Sequence, residues 1–132
     1  MSKKAVNSTI TLNTYAGDKA YQYGLIKYAN GARVSNLNIT SPKDDEGNYL
    51  PVDLAYTAAK YGMAIAVITG GDNVIDNVNI SGAVNMTTNT NSNNIQASSN
   101  VGGLVGHVMA GTVTFTNMEQ DAVKDFKVYG YR

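Results

Sequence analysis

Carboxylate, amide, imidazole and phenol groups carry the chemistry this sequence could do, and their spacing narrows it. Asp72 and Asp76 stand either side of Asn73, next to Gly70-Gly71. A pair of nearby carboxyls is what glycoside cleavage needs, one protonating the leaving oxygen while the other attacks or activates water. Asp beside a Gly-Gly turn is equally suited to local backbone hydrogen bonding, which asks for no catalysis. Asp44-Asp45-Glu46-Gly47-Asn48 is the densest acidic run and offers hard oxygen ligands. Its spacing does not follow the EF-hand pattern, so a solvated loop is the expectation there. His107 is the only histidine. General acid–base work needs a positioned partner, and the sequence offers no second His and no Ser–Asp pair for it. The Gly102–Gly106 run lacks the Lys-Ser/Thr that completes a phosphate loop, so tight packing at a strand start is its expected use. With no Cys, thiol catalysis, Cys-ligated zinc and disulfides are excluded. The reading is of a chain that is not an enzyme and holds no metal or cofactor.

Tyr is frequent, at nine residues against two Phe and no Trp, and most of it lies in the first half. Tyr21, Tyr23, Tyr28, Tyr49 and Tyr56 form a candidate binding surface, since exposed phenols stack on sugar rings and are enriched at protein interfaces. The alternative is that the rings close a core while their hydroxyls reach water. Asn-Xaa-Ser/Thr triplets begin at Asn7, Asn38, Asn79 and Asn85. Two of them fall inside expected strands, so they reflect composition more than glycosylation. Thr112-Val113-Thr114-Phe115-Thr116 has the alternation of an ice-binding strand, but such a surface needs many equal strands side by side.

These groups must be held by repeated elements. Val34-Ser35-Asn36-Leu37-Asn38-Ile39, Ile75-Asp76-Asn77-Val78-Asn79-Ile80 and Val123-Lys124-Asp125-Phe126-Lys127-Val128 share one pattern of apolar, any, Asn/Asp, apolar, any, apolar. Val113–Met118 is a weaker relative. Short apolar runs ending in a Gly turn precede three of these units, at 24–31, 63–71 and 102–111. The unit is therefore strand, Gly turn, Asn-bearing strand, then an excursion. Such a strand cannot bury its apolar face alone, but stacked units share one core and satisfy each other's backbone. Asn36, Asn77 and Asp125 are expected to form a ladder through the stack, with ionised Asp125 able only to accept and so suited to a terminal rung.

Composition agrees with strand and turn over helix, being rich in Asn, Thr, Ser and Gly. Ten basic residues balance ten acidic ones, which argues against nucleic acid as a partner. No stretch approaches the length of a membrane span, and Met1-Ser2-Lys3-Lys4 has no apolar run behind it, so no leader is expected within this sequence.

Gly102-Gly103-Leu104-Val105-Gly106, and Tyr23-Gly24-Leu25-Ile26 with Gly31 and Val34-Ser35-Asn36, resemble the GLUG-motif repeats of bacterial cell-surface proteins. The middle copy departs from them, with Met63-Ala64-Ile65-Ala66 where a Gly-Leu pair belongs. The resemblance implies a right-handed parallel β-solenoid from an adhesin-type protein of Bacteroides-like bacteria, located extracellularly or at the cell surface. It transfers no catalytic residue.

The expectation is thus an all-β chain forming one domain over 1–132, a right-handed parallel β-solenoid (β-helix) of about four to six coils at roughly 20–30 residues each. Two loop excursions, 41–61 and 87–100, interrupt it. Its ends would expose strand edges, so it is read as a fragment of a longer solenoid or a subunit that stacks on copies of itself. Its expected task is structural or adhesive, as a stalk, fibre unit or ligand-binding surface. Carbohydrate or a host surface protein is the expected outside partner. A self-assembling filament subunit and a carbohydrate-active β-helix using Asp72 and Asp76 are the alternatives.

Overall fold

The computed structural model describes residues 6–12, 22–50, 52–53, 60–85, 100–123 and 125–129. Among them there is no helix. The strands, in chain order, are β1 (Ser8–Thr11), β2 (Gln22–Tyr23), β3 (Ile26–Asn30), β4 (Arg33–Thr40), β5 (Val52–Asp53) and β6 (Lys60–Tyr61). They continue with β7 (Ile65–Gly70), β8 (Asp72–Asn85), β9 (Asn100–Val101), β10 (Val105–Val108), β11 (Thr112–Thr116) and β12 (Asp125–Tyr129).

Three sheets collect these strands. The first runs β1-β4-β8-β11, with β5 and β12 also paired to β8; the second is β10-β7-β3 and the third β2-β6-β9. Every strand pairing is parallel. The chain thus makes three successive passes, 22–40, 60–85 and 100–116, and each pass supplies one strand to every sheet. Parallel neighbours cannot be joined by tight hairpins, so each strand meets its equivalent one full pass later. The register records that interval: Asn36 and Asn77 lie 41 residues apart, and Asp72 and Thr112 lie 40 apart. The fold is therefore all-β, built from parallel strands in stacked sheets, and compatible with a β-helix.

Turns between sheets are set by residues that tolerate positive φ. Gly31, Gly71 and Gly111 stand at φ 79°, 74° and 85° between the second sheet and the first. Asn36, Asn77 and Asn117 follow at 60°, 53° and 51°. Left-handed backbone costs most residues about 1–2 kcal/mol, and Asn is the non-glycine type that visits it most readily. The bends thus fall where the sequence places Asn inside an otherwise β-branched run.

Apolar side chains line up in columns through the stack. Val34 pairs with Ile75 and Ile75 with Phe115; Ala29 pairs with Ile68 and Ile68 with Val108. Ile39 and Ile80 form a third column. The middle pass is sealed, with Ile65, Ile68, Ile75 and Val78 wholly buried. Tyr23 and Tyr61 stack at 5.3 Å with their rings 5° from parallel, and Phe126 tilts against Tyr61 at 5.9 Å. Offset stacked rings add roughly 0.5–1.5 kcal/mol beyond the area they bury.

Candidate functional site

Outward-facing side chains of the first sheet repeat by type. Thr9 pairs with Asn38 and Asn38 with Asn79; two residues on, Thr11 pairs with Thr40 and Thr40 with Ser81. Residues two apart share one face of a strand, so these are two polar columns crossing β1, β4 and β8. Hydrogen bonds tie them together along the stack. Asn79 Nδ2 donates to Asn38 Oδ1 at 3.0 Å, and Ser81 Oγ donates to Thr40 Oγ1 at 3.0 Å. These columns floor an open groove of about 730 Å³.

Two loops wall the groove. After β4 the chain makes a tight turn, with an antiparallel bridge between Lys43 and Tyr49. Asp44 closes it, its Oδ1 accepting from the backbone N–H of Glu46 and of Asn48, each at 2.9 Å. Gly47, at φ 85°, completes the reversal. The densest acidic run is thereby a turn stabilised by its own first carboxylate. It presents Lys43 and the half-buried Tyr49 to the groove, the ammonium lying 4.7 Å from the ring centroid. Glu119 and Asp121, just past β11, line the groove as well.

A second set of amides runs along the bends and meets the floor where Asn7 Nδ2 donates to Asn38 Oδ1 at 3.1 Å. Asn77 Nδ2 donates to Asn36 Oδ1 at 3.0 Å and to Asn7 Oδ1 at 2.8 Å. Asn7 Nδ2 donates in turn to the Asn77 carbonyl at 3.1 Å. Asp125 does not stand beside Asn77: it pairs with Ser81, four residues further along β8. The place next to Asn77 falls to Asn117, directly after the Thr116–Asp76 pair, and Asn117 Nδ2 donates to Asp76 Oδ1 at 2.7 Å.

The two candidate catalytic carboxylates are held by different threonines of β11. Asp72 and Asp76 lie on one strand, and at about 3.3 Å per residue their Cα atoms are about 13 Å apart. Asp76 is moreover engaged, accepting from Thr116 Oγ1 at 2.6 Å and facing Arg33 Nη2 at 3.4 Å. Asp72 accepts from Thr112 Oγ1 at 2.9 Å. Two hydroxyls of the Thr112–Thr116 strand are therefore spent on neighbouring carboxylates. Among the described residues no three His, Cys, Asp or Glu side chains come close enough to hold a metal ion.

No family model, curated protein or solved structure matches the chain. The site therefore stands on its own geometry.

The tyrosine surface is dispersed. Tyr23 is 5% exposed and belongs to the core, because its ring stacks on Tyr61 at the centre of the third sheet. Tyr28 is 57% exposed but lies on β3, in the second sheet. Among the described tyrosines only Tyr49 lines the groove. Tyr21 and Tyr56 lie outside the described residues.

One contributor escapes a pattern search, and a second is only weakly marked by one. Asn73, buried in the Gly70-Gly71 turn, accepts from the Ala32 N–H at 2.9 Å and donates to the Gly70 and Thr112 carbonyls at 3.0 Å each. It stitches all three passes, yet in sequence it is one more Asn among many. Asn117 was legible in the four-residue pattern Phe115-Thr116-Asn117-Met118, which matches Ile75-Asp76-Asn77-Val78. The chain leaves the repeat immediately afterwards, and the longer six-residue pattern favours 123–128.

Proposed function

We propose that this chain is a non-enzymatic structural or adhesive module of an extracellular or cell-surface protein, in which the three passes are coils of a right-handed parallel β-solenoid. What supports the reading is the in-register repetition of side chains across β1, β4 and β8. It provides a stiff scaffold and, on its outer face, a groove of hydroxyls and amides bounded by ordered turns. Loops carried on rigid scaffolds are common places for binding. The resemblance of the Gly-Leu units to GLUG-motif repeats of adhesin-type proteins points the same way. Retention of the fluorescently labelled chain on surfaces coated with mucin or with cell-wall polysaccharide tests the reading. It predicts retention without release of reducing ends; release of reducing ends from either coat would overturn it.

A second reading, a self-stacking filament subunit, is favoured by one observation. The core columns that are sealed in the middle pass open at the third, where Phe115 is 46% and Val108 43% exposed. β10 and β11 are also the edge strands of their sheets within the described residues. Parallel edges with an apolar column behind them invite another strand. Light scattering against concentration tests this. Growth of the particle that is suppressed by Phe115→Lys and Val108→Lys supports stacking, and a constant monomer mass removes it.

A further inference from the structure

We propose that the groove over β1, β4 and β8 binds a neutral, ribbon-like glycan laid across the strands. The inference rests on the reading of the chain as a non-catalytic binding module and names its ligand class.

Functional groups in the floor match a polyol. Sugar hydroxyls donate and accept at once, and so do the amides and hydroxyls of the two columns. Part of that capacity is left over after the internal ties are made. Asn38 Oδ1 accepts from both Asn79 Nδ2 and Asn7 Nδ2, while Asn38 Nδ2, Asn79 Oδ1 and the hydroxyls of Thr9 and Thr11 make no hydrogen bond among the described residues. The floor is thus pre-ordered by one set of bonds and keeps a second set for a ligand, which lowers the entropy lost on binding.

Spacing matches as well. Neighbouring strands stand about 4.8 Å apart, close to the length of one hexose unit in an extended glycan. Successive sugars running from β1 over β4 to β8 would therefore meet Thr9, Asn38 and Asn79 in turn. Such a match requires a straight, flat chain, as in β-1,4-linked glucans; a coiled α-1,4 chain loses register after one or two units. The groove's volume of about 730 Å³ accommodates a short stretch of such a chain.

The walls choose among glycans. Tyr49 offers an aromatic surface held in place by its turn and by Lys43. Phenol rings with one wet edge suit the apolar faces of pyranoses. Glu119 and Asp121 line the groove against the single ammonium of Lys43, so the lining carries one formal negative charge more than positive, and a polyuronate would bring further carboxylates to it. The same pair disfavours a nucleic acid backbone.

The test is two-dimensional NMR titration of the full chain with cellohexaose, and in parallel with maltohexaose and hexagalacturonate. Cellohexaose is expected to shift amides of Thr9–Thr11, Asn38–Thr40 and Asn79–Ser81 together. Tyr49→Ala and Asn79→Ala are each expected to weaken it about tenfold, the scale of one or two lost contacts. Tyr49 sits on an outer turn, so an unchanged core spectrum verifies that this variant folds. Maltohexaose and hexagalacturonate are expected to bind at least about tenfold more weakly. Absence of shifts at millimolar cellohexaose, equal binding of maltohexaose, or binding indifferent to both variants overturns the proposal. A chain that adheres to coated surfaces yet ignores cellohexaose loses this ligand class alone. Release of reducing ends with groove shifts intact removes the non-catalytic reading instead.

Discussion

Asn77 performs two jobs that ordinary substitutions separate. It adopts φ 53° at the bend of β8, and its amide donates to Asn36 and to Asn7. Glycine can keep the bend but not the ladder; alanine can keep neither. Asn77→Gly is expected to lower unfolding free energy by about 1–2 kcal/mol, the scale of buried amide bonds lost. Asn77→Ala should cost about 1 kcal/mol more, from the left-handed penalty that glycine escapes. Urea denaturation of the two variants measures the difference, and equal losses would show that the bend carries no strain. Tyr61 raises a different question. Its ring is wholly buried and its hydroxyl has no hydrogen-bond partner among the described residues. Burial first, then the neighbouring Tyr23, pushes its ionisation well above the usual 10.0; the Ser41 hydroxyl eases this slightly without reaching bonding geometry. Well below pH 10 the phenol is neutral whether the chain is folded or not, so stability there does not depend on pH through it. As pH rises further, only the unfolded chain ionises, and folding loses about 1.4 kcal/mol per pH unit through this group. Tyr61→Phe should reduce that alkaline slope. At neutral pH it should leave stability equal or about 1 kcal/mol higher, since it removes an unpaired buried hydroxyl. Urea melts at pH 7 and above pH 10 check both.

At the scale of elements, the Gly turns and the turn at 43–49 carry the design. Gly31 and Gly71 have nearly the same φ, yet their surroundings differ. A Cβ on Gly71 would lie 2.6 Å from the Gly31 N and from Asn30 Oδ1, while one on Gly31 would meet nothing within 4 Å. Both alanine variants carry the conformational penalty, but only Gly71→Ala also forces two passes apart. The expected loss is about 1 kcal/mol for Gly31→Ala and about 2 kcal/mol beyond that for Gly71→Ala. Thermal melts rank them, and equal shifts would mean that the passes are not in contact at the turn. Position in the stack therefore decides what a sequence-equivalent glycine is worth. The turn at 43–49 differs in kind: Asp44 and Gly47 order it locally, so it can present Tyr49 without support from the core.

For the whole molecule, stability should be graded through the stack. β7 and β8 are hydrogen-bonded on both sides and their apolar columns are closed; β10 and β11 are bonded on one side, over open columns. Local opening follows burial and hydrogen bonding. Amide exchange is expected to be slowest over 65–80 and at least about tenfold faster over 105–116, as a difference above 1.4 kcal/mol in opening energy requires. Uniform protection across the passes would mean that the chain opens as one unit.

Periodicity within the sequence determined the strand character, the Gly turns, the Asn-bearing second strand and its parallel stacking, because one unit cannot bury its apolar face without another like it. The pairing of Asn36 with Asn77 was readable from their identical flanks. Which residue continues that column was not: Asn117 and Asp125 both fit short patterns, and only register assigns Asn117 beside Asp76 and Asp125 beside Ser81. The groove was likewise hidden, since Thr9, Asn38 and Asn79 come together only when strands about 40 residues apart align. Tyrosine gave no clue to its own fate. The same side chain serves as core at Tyr23, as surface at Tyr28 and as groove wall at Tyr49, because burial depends on what the rest of the stack lays over each ring.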